Sequence, residues 1–150
     1  MARPFERGLL GGTFDQFHQG HQKLIMSGLE KCNILEIWVT SDEIASQKIG
    51  HLQSFEERSS FLEGWIKDNQ DSIGFREIEN SNEKLPRVYI MKLEDKVGPA
   101  EWRIDCDAII CTEETLPACE KINMNRISSN LNSLNIISCL LYTSDAADEE

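Results

Sequence analysis

The chain has 150 residues, 40% of them hydrophobic, which is enough for one domain with a sizeable core. Its 26 Asp and Glu outnumber 15 Lys and Arg, and the net charge of −11 argues against a nucleic-acid partner. No apolar run approaches the roughly 18 residues that span a bilayer, and no apolar stretch follows the charged N-terminus as in a signal peptide. No membrane partner is therefore expected, and a cytoplasmic location follows by default.

Apolar segments alternate between strand-like and helix-like patterns along the chain. A first strand is predicted at about 7–13, a helix at 20–31 and a second strand at 34–40. Strands that alternate with helices pair in parallel through right-handed crossovers. Ligands of such sheets bind beyond the C-terminal ends of the strands, which directs attention to the segments that follow each strand.

The first of these segments is the most informative stretch of the sequence. It reads Gly-Gly-Thr-Phe-Asp, followed after two residues by His-Gln-Gly-His. Gly12 and Gly20 lack side chains, so a ligand can approach the backbone there. The start of the following helix suits a phosphate, and His18 and His21 are spaced to point two imidazoles at one anion. A zinc site is not predicted, because no other His or Cys has ligand spacing near them.

The middle of the chain continues the same alternation. Residues 43–53 form a polar loop that carries Lys48, and Ser54 with Glu57 makes a capping box that opens the next helix. Arg58 lies in the first turn of that helix. A third strand is predicted at 87–93 and a short helix at 98–102.

The last part of the pattern supplies two more strands. The apolar run 107–112 is typical of a strand buried on both faces. Thr115 is predicted to cap the following helix, which has Pro117 in its first turn and runs to about Arg126. A fifth strand is predicted at 134–141. The fold class is therefore α/β, with about five parallel strands and helices on both faces of the sheet.

Five cysteines, an odd number without a Cys-x-x-Cys pair, lie mostly among apolar neighbours. Cys32, Cys111 and Cys139, which have apolar neighbours, are interpreted as small buried hydrophobic residues in a reducing compartment.

Three separate segments carry a family resemblance. The Gly-Thr-Phe-Asp turn with His-x-Gly-His, the Thr-Ser-Asp-Glu at 40–43 followed by Lys48, and the Cys-Thr-Glu-Glu-Thr at 111–115 resemble phosphopantetheine adenylyltransferases of the archaeal and eukaryotic branch. The resemblance covers roughly residues 7 to 140 and implies a Rossmann-like nucleotidyltransferase fold. It implies transfer of AMP from ATP to 4′-phosphopantetheine in coenzyme A biosynthesis, giving dephospho-coenzyme A and pyrophosphate. Mg²⁺ is expected with ATP, and the sequence does not fix the oligomeric state.

The resemblance also implies roles for individual residues. The catalytic group is expected to be His18, His21 and Lys48. The residues expected to hold the nucleotide or the acceptor phosphate are Gly12, Thr13, Phe14, Gly20, His21, Arg58, Glu113 and Thr115. Without the resemblance, Lys48 is a solvated loop lysine, Arg58 a helix-surface arginine, and the segment 113–115 an ordinary helix cap.

The end of the chain departs from the family pattern. Members of the family continue past the fifth strand into a turn that cradles the ATP phosphates. Here residues 141–150 follow no hydrophobic period and resemble translated adapter sequence. Residues 1–140 are thus expected to form a single nucleotidyltransferase domain truncated at its C-terminus, and 141–150 a non-native or disordered tail.

Two alternatives remain open at this point. One is another nucleotidyltransferase with the same motif, acting on nicotinamide mononucleotide, a flavin nucleotide or a cytidylyl acceptor. The other is a truncated, inactive nucleotide-binding domain.

Overall fold

The structure is a computed structural model that describes residues 3–46, 53–69, 87–95 and 98–139. Predictions that concern Lys48 and the tail 141–150 lie outside the described residues. So do the last two residues of the predicted fifth strand.

Five parallel strands form one sheet, as predicted. The strands are β1 (Phe5–Gly12), β2 (Cys32–Thr40), β3 (Arg87–Leu93), β4 (Ala108–Thr112) and β5 (Asn135–Cys139). Their order across the sheet is β3-β2-β1-β4-β5, and every neighbouring pair is parallel. β2 and β3 therefore extend the sheet from β1 to one edge, and β4 and β5 extend it from β1 to the other edge. The reversal lies between β1 and β4, where ligands of such sheets bind.

Four α-helices and one 3₁₀ turn connect these strands in the described part of the chain. They are α1 (Gln19–Lys31), α2 (Asp42–Ser46), α3 (Phe55–Asp68), the 3₁₀ turn Pro99–Glu101 and α4 (Leu116–Ser128). The prediction of an uninterrupted loop over 43–53 was wrong, because α2 occupies its beginning. Ser41 Oγ accepts a hydrogen bond from the amide of Ile44 at 3.3 Å, and Ile44 is buried, so this short segment has a helix start and an apolar side.

The helices cover both faces of the sheet, which confirms the predicted layers. Leu10 and Ile110 belong to one hydrophobic cluster, together with residues of α1 and α3. Leu9 and Ile109, their chain neighbours, belong to a second cluster with Ala100 and residues of α4. Successive residues of a strand point to opposite faces, so β1 and β4 supply both cores at once.

All five cysteines are free and buried, which confirms the prediction for Cys32, Cys111 and Cys139 and extends it to Cys106 and Cys119. Within the described ranges, the structure has no helix with the length and apolar character needed to cross a membrane.

Candidate functional site

The sheet brings three predicted segments to one edge. Gly12, the last residue of β1, lies opposite Val39 of β2. The register of Leu10 with Ile110 places Gly12 level with Thr112, the last residue of β4. The Gly-Thr-Phe-Asp turn, the end of β2 and the segment 113–115 therefore meet at the point where the strand order reverses.

The turn after β1 is held in an unusual backbone conformation. Phe14 has φ 56° and Gln16 has φ 48°, a region that side-chain-bearing residues rarely adopt. Asp15 Oδ1 accepts from the amide of Gln53 at 2.9 Å, and the amide of Gln16 donates to Gln53 Oε1 at 2.8 Å. The turn is thus fastened to the residue that precedes the capping box of α3. Backbone strain of this kind persists where surrounding contacts fix it, as at ligand-binding turns.

His18 and His21 form the N-terminal cap of α1 together. His18 Nδ1 accepts from the amide of Gly20 at 3.0 Å, and the amide of His18 donates to His21 Nδ1 at 3.1 Å. Because both Nδ1 atoms act as acceptors, the proton of each neutral ring lies on Nε2. The two rings stack with centroids 3.9 Å apart. The helix start therefore carries two adjacent Nε2–H donors, a suitable arrangement for a phosphate.

Aromatic neighbours fix the ring of His21. Its centroid lies 5.1 Å from that of Phe14, which is 2% exposed, and 5.5 Å from that of Phe17. Burial, the largest cause, and the neighbouring His18 together lower the pKa of His21 to about 4, and Asp15 opposes the shift. His21 is consequently a neutral hydrogen-bond donor at physiological pH.

Arg58 is fully buried, so the interpretation of it as a surface arginine was wrong. Its Nη1 donates to the carbonyl oxygens of Thr13 (2.8 Å) and Thr40 (2.9 Å). Its Nε donates to the carbonyl of Gln53 and its Nη2 to Asp42 Oδ1, both at 2.9 Å. These bonds engage four of the five guanidinium N–H groups. The placement favours a role in holding the turn, and direct contact of Arg58 with a phosphate stays a prediction.

Asp42 and Gln53 connect the site to α3, and sequence reasoning missed both. Asp42 Oδ1 accepts from the amide of Phe55 at 2.8 Å as well as from Arg58. Their partners are distant in the sequence, so no local pattern indicates these roles. The only signal was the position of Asp42 just after a strand end.

The segment after β4 differs in one detail from the prediction. Thr115 occupies the N-cap position of α4 but makes no side-chain cap. Its Oγ1 accepts from the amide of Thr112 at 2.9 Å, so the hydroxyl closes the turn after β4 instead. Pro117 lies in the first turn of α4 as predicted. Glu113 and Thr115 are exposed at this strand end.

A cavity lies beside the turn, on the face of the sheet that carries α4. Its wide part has a volume of about 540 Å³, and an adjoining narrow part about 130 Å³. Both parts are lined by Trp38, Leu93, Gly98 and Pro99. The narrow part reaches Gly11, and its other lining residues are mostly apolar. Its walls come from separate strands, the 3₁₀ turn and α4, which explains why no sequence pattern revealed it.

No group of three or more His, Cys, Asp or Glu side chains suited to a metal ion occurs in the part of the chain that the structure describes. Asp15, whose Oδ1 is bonded by the amide of Gln53, is the one carboxylate of the turn, and the other groups there are imidazoles, hydroxyls and amide N–H groups, whereas Mg²⁺ prefers a set of oxygen ligands. These residues do not fit a protein-held Mg²⁺ site.

A parallel sheet in this order, with a glycine-rich turn and paired histidines at the end of β1, defines a nucleotidyltransferase of Rossmann-like fold. The family model described as cytidylyltransferase-like matches residues 9–140, and the chain belongs to this family.

Individual relatives show which kind of nucleotidyltransferase the chain is similar to. The chain is 32% identical over 139 residues to a phosphopantetheine adenylyltransferase of Methanopyrus kandleri, covering 91% of this chain and 79% of the relative. It is 35% identical over 130 residues to that of Methanosarcina barkeri, covering 85% and 72%. These relatives confirm the resemblance predicted from the sequence. A crystal structure of a protein of unknown function from Archaeoglobus fulgidus, 23% identical, matches with a TM-score of 0.74 over 93% of both chains and shows the shared fold.

Proposed function

We propose that this protein transfers AMP from ATP to 4′-phosphopantetheine and releases pyrophosphate. The observation that carries the proposal is the pair of Nε2–H donors of His18 and His21 at the N-terminus of α1. The similarity to relatives named phosphopantetheine adenylyltransferase supports the choice of acceptor.

The reaction is a displacement at the α-phosphorus of ATP. A phosphate oxygen of the acceptor forms the new P–O bond, and the bond from the α-phosphorus to the bridging oxygen breaks. Pyrophosphate leaves with that electron pair. This chemistry needs positioning and stabilisation of developing charge, and it needs no covalent enzyme intermediate.

The histidines supply hydrogen bonds to the phosphate oxygens. Their Nδ1 atoms are occupied by the helix cap, so each ring can donate only from Nε2. His21 stays neutral because its pKa is lowered to about 4 by burial, so it donates without exchanging a proton near neutral pH. Gly12, which is half-buried, allows a phosphate group to approach the backbone, whereas Gly20 is buried and its amide is bonded to His18 Nδ1.

The turn supplies the rest of the cradle. Thr13 Oγ1 lies 3.4 Å from Thr40 Oγ1, so two hydroxyls meet at the strand ends. The carbonyl oxygens of these two threonines are bonded to Arg58, which keeps two negative dipole ends away from an incoming anion. We assign the phosphate contact of Thr13 and of the Phe14 amide to this cradle. Lys48 remains our proposal for the acceptor phosphate.

The neighbouring strand end is assigned to the nucleoside. Glu113 and Thr115 are exposed there, one strand away from the histidines. A carboxylate and a hydroxyl are suitable partners for ribose hydroxyls or the adenine amino group.

The cavity suits the pantetheine arm. This arm is long, flexible and uncharged, and it follows directly from the phosphate that reacts. The narrow part of the cavity begins at Gly11, next to the turn, and is lined mainly by apolar side chains. A flat flavin ring or a compact nicotinamide ribonucleotide matches the shape of such a narrow space less well.

The proposal also includes the metal ion and the location of the protein in the cell. Mg²⁺ would be brought by ATP and would offset the negative charge of the phosphates during the transfer. A cytoplasmic location agrees with five free cysteines, which are typical of a reducing compartment.

The test is an acceptor panel. The purified protein is incubated with MgATP and one of 4′-phosphopantetheine, nicotinamide mononucleotide or flavin mononucleotide, and in parallel with MgCTP and glycerol phosphate. Pyrophosphate release and product mass are measured. We expect release and dephospho-coenzyme A only with phosphopantetheine. Product from another acceptor would replace this function, and ATP binding without turnover in every reaction would favour the inactive nucleotide-binding domain.

A further inference from the structure

A buried carboxylate is bonded to a residue that lines the cavity, and the proposed transfer does not use it. Glu36 of β2 is 4% exposed. Arg103 donates to it with two N–H groups, Nη1 to Oε1 at 2.7 Å and Nη2 to Oε2 at 3.0 Å, and Arg7 donates through Nη1. Burial favours the neutral acid, but the hydrogen bonds from Arg103, Trp38 and Arg7 outweigh it and hold the pKa of Glu36 below its usual range. A buried charge with this many partners is fixed in place.

The same carboxylate holds a cavity residue. Trp38 Nε1 donates to Glu36 Oε1 at 3.0 Å. An indole has only this one polar hydrogen, so the rest of the Trp38 ring offers apolar surface. Trp38 lines both the wide and the narrow part of the cavity.

The ion pair also joins the two sides of the cavity. Trp38 belongs to β2, whereas Arg103 directly follows the 3₁₀ turn and Trp102, which line the opposite side. Arg126 donates to the carbonyl oxygens of Ala100 (2.7 Å) and Arg103 (2.8 Å), so this segment is fixed from its other side as well. The Glu36–Arg103 pair therefore sets the separation of the two sides.

We infer that Trp38 determines specificity for the distal end of the acceptor arm, and that Glu36 is the positioning residue that holds Trp38 and the 3₁₀ segment in place. The inference rests on the proposed function and concerns the acceptor alone. It follows from the lining of the narrow part, where the described residues are uncharged except Glu101. An uncharged arm end packs against apolar residues there, whereas a carboxylate loses water and meets Glu101 instead of a cation. The charged lining residues Lys92, Glu94 and Asp95 belong to the wide part.

Two acceptors that differ at the end of the arm are suitable for the test. 4′-Phosphopantetheine ends in an uncharged thioethyl amide, and 4′-phosphopantothenate ends in a carboxylate at the same part of the arm. The acceptor phosphate is the same in both. The wild-type protein is expected to prefer phosphopantetheine by at least about 10-fold in kcat/KM, the size of effect that a shaped pocket produces.

The experiment compares Trp38→Phe, Trp38→Ala and Glu36→Gln with the wild type. Glu63→Gln is the matched control, because Glu63 is an exposed carboxylate on α3, distant from the cavity in the fold. Each variant is first checked for a cooperative thermal transition. The acceptor KM, the ATP KM, kcat and the ratio of kcat/KM for the two acceptors are then measured.

We expect Trp38→Ala and Glu36→Gln to raise the acceptor KM about 10-fold and to reduce the acceptor preference, with the ATP KM within about two-fold. A general structural defect would change both KM values together. Trp38→Phe keeps an aromatic side chain in the cavity wall, so its acceptor KM is expected to lie between those of the wild type and Trp38→Ala. This variant preserves the test if Glu36→Gln does not fold.

Folded Trp38 and Glu36 variants with unchanged acceptor KM and preference would overturn the inference while an active wild type leaves the proposed function intact. A wild-type protein without transfer to phosphopantetheine would overturn both. As an independent readout, calorimetric titration with pantetheine, which lacks the phosphate, is expected to show weaker binding to Trp38→Ala than to the wild type.

Discussion

Arg58 Nη1 bonds the carbonyl oxygen of Thr13 at 2.8 Å, and through this contact α3 fixes the turn that follows β1. The same nitrogen bonds the carbonyl of Thr40, so one buried guanidinium joins the ends of two neighbouring strands. A fork of this geometry can be made by arginine but not by lysine.

Arg58→Lys is therefore expected to reduce kcat by at least about 10-fold, because a displacement of the turn by a fraction of an ångström affects positioning. Steady-state kinetics and thermal unfolding are the measurements. The alternative role, a point charge on the acceptor phosphate, predicts that lysine preserves most activity and raises mainly the acceptor KM. That second result would contradict the positioning role.

The variant His18→Asn tests the catalytic role of His18 separately from its role as the cap of α1. Asparagine is a favourable N-cap residue, so it can replace the bond from Nδ1 to the amide of Gly20 while the Nε2–H donor is lost. We expect the wild-type unfolding temperature within a few degrees and a rate lowered roughly 10²–10³-fold, as for the loss of one preorganised donor. His18→Ala should lose both stability and rate. Near-normal turnover in His18→Asn would show that the ring does not contact the reacting phosphates.

The low pKa of His21 predicts how it titrates. The folded value is about 4 against an ordinary 6.5, so between these pH values the unfolded chain binds a proton that the folded chain does not. The free energy of unfolding should therefore fall as the pH decreases through this window, and less so in His21→Gln. Nuclear magnetic resonance should show His21 as the Nε2–H tautomer at pH 6.5. A titration midpoint near 6.5 would contradict this environment.

The five thiols should be protected in the folded protein. Burial raises the pKa of Cys32 and Cys119 to about 12 and that of Cys106 to about 11, so little thiolate forms near neutral pH. Ellman's reagent at pH 8 is expected to react slowly in buffer and to report all five thiols in urea. One fast equivalent in buffer would identify an accessible cysteine.

The sequence predicted the sheet because its strands depend on local pattern, and a local pattern also indicated the centre of the candidate site. All five residues of β4 are buried, and a strand that is buried on both faces has a nearly continuous apolar sequence. The histidines were identified from one compact motif, and the parallel order of strands followed from their alternation with helices.

What the sequence could not show depends on contacts between distant residues. The sequence left Arg58 either as a phosphate contact, as the resemblance implied, or as a surface residue of a capped helix. Only the fold brings Thr13 and Thr40 to it. Thr115 has the position of a cap, but its hydroxyl instead bonds Thr112. The cavity beside Trp38 has walls from several elements, so it exists only after the sheet, the 3₁₀ turn and α4 have packed together.

The most direct test of the central claim is the fate of labelled ATP. The protein is incubated with phosphopantetheine and ATP labelled at the α-phosphorus, and separately with ATP labelled at the γ-phosphorus. Attack at the α-phosphorus places the α label in dephospho-coenzyme A and the γ label in pyrophosphate, and His21→Ala should slow both roughly 10²–10³-fold. Transfer of the γ label to the acceptor, or equal rates in the wild type and in His21→Ala, would contradict the account.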